Sequence, residues 1–393
     1  MEPRVAIVHD WAMSMRGAER VLESLCRLFP RAPVFVLSHD KQRLSPELAA
    51  RDLRASFLHD WARWLPEGGP RFRLFLPLFP LAVESFRLDG YDLIVSSSHA
   101  IAKGALPPPG ALHVSYVHSP MRYVWEAGAE YAPAVPGGAA GRALFALASH
   151  YLRLWDTAST ARADVLIANS AYTRTRIRRC YGRDAEVLEP PVDTARFAGV
   201  PDPEPSGGAP VYLCVSALVP YKRVDLAVRA FAARDRPGRL VVVGEGSERA
   251  RLERLAGGRV TFRGRVDDDE LLRLYAACRA VIHPAIDDFG IAPREALAAG
   301  RPVVASAQGG AADAAGAADP AGGGASGVLF DQPTPESLGA ALDQLERMTF
   351  DPGRLREAAR RFDRTAFEAR FGALVETALR RARDGGFNAR RAP

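Results

Sequence analysis

The chain has 393 residues, 48% hydrophobic and 25% charged, which excludes a disordered or fibrous polymer and suffices for two hydrophobic cores. No apolar run approaches the ~20 residues that cross a bilayer, and the opening MEPRVAIVHDW enters a strand-like run with no basic, apolar leader, so a cytoplasmic location is expected. The net charge of +6 comes almost wholly from arginine, with only Lys41, Lys103 and Lys222 as lysines; it suits an anionic ligand or a membrane surface, and no basic block interleaved with aromatics points to nucleic acid.

In chain order, the strand-like runs of the first half are RVAIVHD, PVFVLS, YDLIVSSSH, HVSYVH, DVLIANS and AEVLEPP. Those of the second half are VYLCVSA, LVVVGEG, VTFRGRV, AVIHPAI, PVVASAQ and GVLF. Helical patterns such as GAERVLESLCRLF, VDLAVRAFAAR, DDELLRLYAACRA and PREALAAG lie between them. Continuous apolar strands separated by helices predict parallel sheets covered on both faces. The Pro/Gly/Ser-rich AGVPDPEPSGGAP splits the series, so the expected division is a Rossmann-like domain over 1–197, a linker over 198–209 and a second such domain over 210–365. Residues 366–393 are expected to form a helix returning to the first domain, and the Ala/Gly-rich stretch 308–327 a long loop. The fold class is therefore α/β, two Rossmann-like domains in tandem with a cleft between them. The cysteines Cys26, Cys180, Cys214 and Cys278 lack metal-ligand spacing and are expected to be free thiols.

Doubly wound sheets bind ligands beyond the carboxyl ends of their strands. Those positions carry His9-Asp10, Ser96-Ser97-Ser98-His99, His118, Asn169-Ser170, Pro220-Tyr221-Lys222, Gly244-Glu245-Gly246, Arg265 and Asp287-Asp288. The first connection, HDWAMSMRGAE, holds one glycine, and neither GxGxxG nor GxxxxGK[ST] occurs, which disfavours the familiar dinucleotide and ATP loops. The stretch DDFGIAPREALAAG follows a strand-like run and reads as a turn, a helix and a Gly300 stop. Amides around Gly290 and Ile291 would suit a phosphate or sugar hydroxyl. Asp287 stands at the mouth, and Glu295 lies about two turns further along.

These residues carry a resemblance. DFGIAPREALAAGRPVVA and SALVPYKRVDLAVRAF resemble the donor-binding half of retaining GT-B glycosyltransferases of family 4. HDWAMSMRGAERVLE, SSSHAIAKG, YVHSPMRYVWE and NSAYTRTRIRRCYGRDAEVLEPPVDTARF resemble bacterial mannosyltransferases that build O-antigen and exopolysaccharide. The resemblance implies two Rossmann-like domains facing each other across a cleft, with a nucleotide-diphosphate sugar in the second and the acceptor in the first. It gives Lys222, beside Arg223, to the donor diphosphate, Asp287 to the donor sugar and Glu295 to the ribose. Backbone groups of Phe289, Gly290 and Ile291 join the sugar contact, and the loop from Gly264 borders the base through Val266 and Asp268. His118 is implied beside the reacting sugar, so His118, Asp287 and Lys222 form the expected catalytic set, while Gly17 lets the backbone approach the phosphates or the acceptor.

His99, Lys103, Arg122, Tyr123 and Trp125 are candidates for lining the cleft or acceptor pocket, with turn closure or packing as the alternative for each. The implied reaction retains configuration, uses GDP-mannose with neither metal nor further cofactor, and acts on a saccharide or lipid-linked acceptor. A UDP-sugar-dependent member or a catalytically silent scaffold remains open. Two departures stand out: Ala217 occupies a position where the family usually has arginine, and Asp287 is one methylene shorter than the usual glutamate. The aromatic, arginine-containing stretches 57–65 and 69–86 are a further expectation for peripheral membrane contact, through Arg71, Phe72, Arg73, Phe75 and Phe79, with burial in the core as the alternative.

Overall fold

Apolar, β-branched runs too short for helices pair into parallel ladders, and each of the twelve runs above does so in the computed structural model, which describes residues 2–62, 75–125, 138–202, 208–233, 238–316 and 325–384. The first sheet contains β1 (Val5–His9), β2 (Val34–Val36), β3 (Leu53–Ala55), β4 (Leu93–Ser98), β5 (Leu112–Val117), β6 (Val165–Ala168) and β7 (Glu186–Val187). Its order is β3-β2-β1-β4-β5-β6-β7. The second contains β8 (Val211–Val215), β9 (Arg239–Val243), β10 (Val260–Gly264), β11 (Ala280–His283), β12 (Val303–Ser306) and β13 (Gly327–Phe330), in the order β10-β9-β8-β11-β12-β13. Only β3 was not foreseen. It is a half-exposed edge strand of three residues and so lacks the apolar run that marks the others.

The longer helices include α1 (Gly17–Leu28), α2 (Gly138–Ser159), α3 (Ala171–Tyr181), α4 (Val224–Ala232), α5 (Asp268–Ala277), α6 (Ile291–Ala298) and α7 (Arg364–Arg383). The chain forms two compact units, Met1–Pro190 with Phe367–Pro393, and Pro191–Ala366. The division precedes the expected linker at 198–209 because Val192 is buried against Phe289 and Phe362, and Phe197 and Val200 pack in a core cluster with Leu213 and Tyr275. In α7, Phe367, Phe371, Val375 and Ala378 form one helical face buried in the first unit's core with Ile7 and Tyr116.

Each sheet has one point where the chain turns to opposite sides, between β1 and β4 in the first unit and between β8 and β11 in the second. At the first, His9 stands in register with Ser97, and Ser97 with Tyr116. At the second, the carboxyl end of β11 is His283. These are the places where a doubly wound sheet leaves a crevice for a ligand.

Of the aromatic stretches expected at a membrane, residues 63–74, Arg71, Phe72 and Arg73 among them, lie outside the described residues. Phe79 is core: it is buried with Val83 and Leu88, while Phe75 is half-buried beside that cluster. Trp61 and Leu81 of those stretches are exposed, and a longer exposed apolar stripe lies on α2, where Leu144, Leu147, Tyr151 and Leu154 are 68%, 66%, 46% and 60% exposed at spacings that share one helical face. Among the described residues no helix is long and apolar enough to cross a membrane.

Lys103 and Trp125 prove structural. Lys103 Nζ is buried against the Asp156 carboxylate of α2, and the second oxygen of Asp156 accepts from Trp125 Nε1 at 2.7 Å and Tyr181 Oη at 2.8 Å. One buried carboxylate thus ties the segments that follow β4 and β5 to α2 and α3. Removing one partner of such a pair leaves a bare buried charge, so Lys103→Met is expected to destabilise the first unit by about 3–5 kcal/mol. All five tryptophans (Trp11, Trp61, Trp64, Trp125 and Trp155) lie in residues 1–190, so urea unfolding followed by tryptophan fluorescence reads this unit alone. An unchanged midpoint would show that the pair contributes nothing.

Candidate functional site

In the second unit, the chain leaves β8 through the single turn Pro220–Lys222 and enters α4 at Arg223, whose φ of 50° is left-handed. Lys222 Nζ lies 2.6 Å from Asp287 Oδ2. His283 Nε2 approaches the same oxygen to 3.1 Å, a contact that is short but not aligned as a hydrogen bond. Burial pushes the Asp287 carboxyl up, but the Lys222 ammonium and the His283 ring outweigh it and hold the group well below the usual carboxylate range. Arg223 is 3.3 Å from Asp225 and does not take over the charge missing at Ala217, which is exposed; Lys222 is the cation on Asp287.

The loop from Asp287 is held from beneath. Gly310 N–H donates to Asp287 O at 2.7 Å, and a Cβ on Gly310 would stand 2.1 Å from Asp288 O, so only glycine permits this approach. Gly290 caps α6 at φ 83°, with Ala311 Cβ 3.1 Å from where a side chain would start. The fully buried Arg294 donates to Phe289 O, to Gly290 O at 3.2 Å and to Gly310 O at 2.7 Å, with its guanidinium 4.1 Å from the Phe289 ring centroid. The Phe289 ring is therefore core, and only its backbone is available to a ligand. Ile291 opens α6, and Glu295, buried on the same helix, accepts from Tyr275 Oη at 3.0 Å. Burial, then the Glu295 carboxylate, push the Tyr275 phenol well above its ordinary value and keep it a donor.

Among the base candidates, Gly264 ends β10 at φ 70° and its carbonyl accepts from Gly244 N–H at 2.8 Å, while Val266 is half-buried against the core. Asp268 begins α5 with its carboxylate 82% exposed and 2.8 Å from Arg196.

In the first unit, Asp10 follows β1 and is fully buried. It accepts from four successive backbone amides, His99 at 2.5 Å, Ala100 at 2.9 Å, Ile101 at 2.7 Å and Ala102 at 2.7 Å, and lies 2.9 Å from His99 Nδ1. Burial would raise the Asp10 carboxyl, but His99 and these donors hold it well below its usual range. Burial would lower His99, yet Asp10 outweighs it and holds the imidazole above its ordinary value. His118, just past β5, places Nε2 2.8 Å from Ser97 Oγ, which lies 3.1 Å from His9 Nδ1. Burial lowers His9 to about 4 and holds His118 well below its ordinary value. Gly17 begins α1, where Glu19 accepts from Arg16 N–H at 3.0 Å. Arg122, half-buried, begins the one-turn helix Arg122–Trp125.

The structure thus brings Lys222 and Asp287 together with His283, which sequence reasoning did not single out although it ends a strand four residues before Asp287. It joins His99 and His118 to His9, Asp10 and Ser97, and it leaves Arg223 and Asp268 in ion pairs of their own.

Comparison with known proteins follows the two units. Residues 15–196 match the family model Glycosyltransferase Family 4, and residues 201–362 match Glycosyl transferases group 1. A GDP-mannose-dependent alpha-mannosyltransferase of Mycobacterium tuberculosis is 31% identical over 292 residues, 70% of this chain and 72% of that protein. The chain belongs to glycosyltransferase family 4. A GDP-mannose-dependent alpha-(1-6)-phosphatidylinositol monomannoside mannosyltransferase of Mycolicibacterium smegmatis is 31% identical over 208 residues, 47% of this family 4 chain and 53% of the relative, so the match spans about half of that protein. Sucrose-phosphate synthase from Thermosynechococcus elongatus superposes with a TM-score of 0.68 at 20% identity, covering 96% of this chain and 99% of that one. Anabaena Alr3699/HepE in complex with UDP does so at 0.66 and 18%, covering 95% and 100%. This likeness establishes the GT-B fold.

The buried histidines of the family 4 chain give a signed pH dependence. His9 and His113, each at about 4 through burial, and His118 stay neutral in the fold while unfolded rings protonate near 6.5. Between pH 6.5 and 4 the unfolded state therefore binds more protons, and stability falls as the pH falls; His99, raised in the fold, is protonated in both states below pH 6.5 and adds no slope in this window. Tryptophan-detected urea unfolding is expected to show the first unit losing on the order of 1 kcal/mol per pH unit for each of the three neutral rings from pH 6.5 towards 4.5. A flat profile would mean that these rings protonate within the fold.

Proposed function

We propose that the chain is a retaining hexosyltransferase that moves mannose from GDP-mannose to a saccharide or lipid-linked acceptor in cell-surface polysaccharide synthesis. The observation carrying this reading is the Lys222–Asp287–His283 cluster at the switch point of the second sheet, in a chain similar over 70% of its length to a GDP-mannose-dependent alpha-mannosyltransferase. A diphosphate competes with Asp287 for the Lys222 ammonium. Once Lys222 turns to the phosphates, the Asp287 oxygens are released to accept from sugar hydroxyls, and Glu295, oriented by the Tyr275 hydroxyl, accepts from the ribose. The amides at the start of α6 add to the positive potential. As the bond from the anomeric carbon to the phosphate oxygen breaks, Lys222 neutralises the charge on the leaving diphosphate. The acceptor oxygen bonds to the anomeric carbon on the same face, and its proton passes to the departing phosphate oxygen. Lys222 and the helix amides supply the neutralisation, so the reaction calls for no metal, and transfer should persist in EDTA.

Thermal shift against GDP-, UDP- and ADP-sugars tests the donor. GDP-mannose at 100 times its Kd is expected to stabilise by roughly 2.7 kcal/mol. Lys222→Met and Glu295→Ala should each weaken that binding by roughly 1.5–3 kcal/mol, the usual worth of a charge-assisted hydrogen bond. Stabilisation by a UDP- or ADP-sugar without one by GDP-mannose would overturn the donor assignment.

The reading includes contact with an anionic bilayer through the α2 stripe of Leu144, Leu147, Tyr151 and Leu154. The protein is expected to float with anionic liposomes at low salt and Leu147→Glu to remain below. Failure of the unsubstituted protein to float removes the membrane role and leaves the transfer reaction untouched.

A further inference from the structure

We propose that His283 is the reserve counter-cation of Asp287: when an anion draws Lys222 away, His283 takes up a proton from solvent and holds the carboxylate in place of the ammonium. The argument rests on one oxygen with two basic groups beside it. Lys222 Nζ stands 2.6 Å, and His283 Nε2 3.1 Å, from the same Asp287 Oδ2. The side chains of Lys222, Asp287 and His283 are 20%, 10% and 5% exposed, so an anion arriving from solvent meets the ammonium first. Lys222 carries its charge on a flexible four-carbon stem, whereas His283 ends β11 with its backbone in register with Ala305 of β12. One partner can leave, and the other stays.

The first unit shows what a buried carboxylate does to an imidazole when no lysine shares it. Asp10 and His99 stand 2.9 Å apart, and Asp10 outweighs burial and holds the ring above its ordinary value. Asp287 and His283 repeat that pair at 3.1 Å with an ammonium added. Cations beside one anion repel each other, so Lys222 opposes a proton on His283, and its departure removes the opposition. The need for that proton is also greater here. Asp10 keeps the amides of His99, Ala100, Ile101 and Ala102 on its carboxylate, whereas the Gly310 amide is spent on the Asp287 carbonyl. Without Lys222, a carboxylate this buried would be a bare charge, which is costly unless a new cation compensates it.

The other charged groups around His283 are committed elsewhere or favour the change. Arg294 of α6 donates to the carbonyls of Phe289, Gly290 and Gly310, Glu295 of α6 accepts from Tyr275 Oη, and Arg223 pairs with Asp225. The Cys214 thiol of β8 is pushed up to about 12 by burial and stays neutral. Asp288, next in the chain, and Asp313, on the short helix Ala312–Ala315 after β12, are carboxylates, which favour an imidazolium. In this arrangement His283 is a positioning residue that acts through Asp287. A ligand that takes Lys222 then binds together with a proton, so its affinity falls as the pH rises between the His283 midpoints of the free and the bound protein.

The test in ligand-free protein is a pH titration of the full-length chain with isotope-labelled histidine, followed by the NMR signals of the rings. His283 is identified among the eight histidines by its loss in His283→Gln. Lys222→Met is expected to raise the pH at which His283 protonates by at least about one pH unit, and Lys222→Arg, which keeps the charge, to move it much less. Lys222→Gln replaces the methionine variant if circular dichroism shows that the latter has lost the fold. A His283 midpoint that is unchanged or lowered when the charge of Lys222 is removed overturns the proposal.

A second arm rests on the proposed function, in which the anion is the donor diphosphate. Calorimetric titration with GDP-mannose is run in buffers of different ionisation enthalpy, at a pH midway between the His283 midpoints of the unsubstituted protein and Lys222→Met. It is expected to show uptake of about half a proton or more on binding, lost in His283→Gln. The diphosphate of GDP-mannose is esterified at both ends and takes up no proton of its own near neutrality. Binding without proton uptake overturns the proposal. Binding of no sugar nucleotide, with the His283 midpoint raised in Lys222→Met, would instead remove the proposed function and leave the exchange of counter-cations standing.

Discussion

In a sheet whose strands all run parallel, every strand hands its chain over at the same edge, so the polar residues that follow the strands collect there. Both sheets of this chain obey that constraint throughout. The topology then separates the connections on either side of β1/β4 and of β8/β11, and those two gaps are where charge can be held without an apolar neighbour being displaced. Asp10, His99 and His118 stand at one, and Lys222, His283 and Asp287 at the other. Their placement follows from strand direction more than from any local motif.

Each gap holds a buried carboxylate, and the two are stabilised differently. Asp10 is surrounded by four backbone amides and an imidazole, donors that are part of the fold and move only if the loop after β4 comes apart. Asp287 depends on one flexible ammonium, which an incoming anion can draw away, and on a nearby ring. The first arrangement suits a fixed scaffold for the histidines beside it, and the second suits a group that must change partners when a ligand arrives. Arg294 complements the second by holding the backbone of the Asp287–Gly290 loop from the buried side, so Lys222 can shift while the loop stays in place.

The histidines of the first unit follow from the same low-polarity setting. Burial disfavours imidazolium for His9, His113 and His118, whereas His99, facing Asp10, is favoured as a cation. His9, His99 and His118, close together, thus differ in charge because one carboxylate sits beside one of them. Neutral rings must satisfy two unlike nitrogens each, and the serines of β4, Ser96 towards His113 and Ser97 towards His9 and His118, supply the hydroxyls that do so. Two of the three serines in this otherwise apolar strand have their reason in those contacts.

Much of this was legible in the chain. The apolar runs specified twelve strands because parallel, doubly covered strands must be apolar on both faces; β3 escaped because a short edge strand need not be. The motifs around Lys222, Asp287 and Glu295 marked one stretch of the second unit where the structure brings Lys222 to Asp287, since a turn, a glycine and a helix start leave a local signature. That Ser97 would bridge two histidines and that Lys103 would be buried against Asp156 were decided by the tertiary structure alone. Strand register and helix packing bring together residues far apart in the chain, 88 positions in the case of His9 and Ser97, and local spacing carries no record of such long-range contacts.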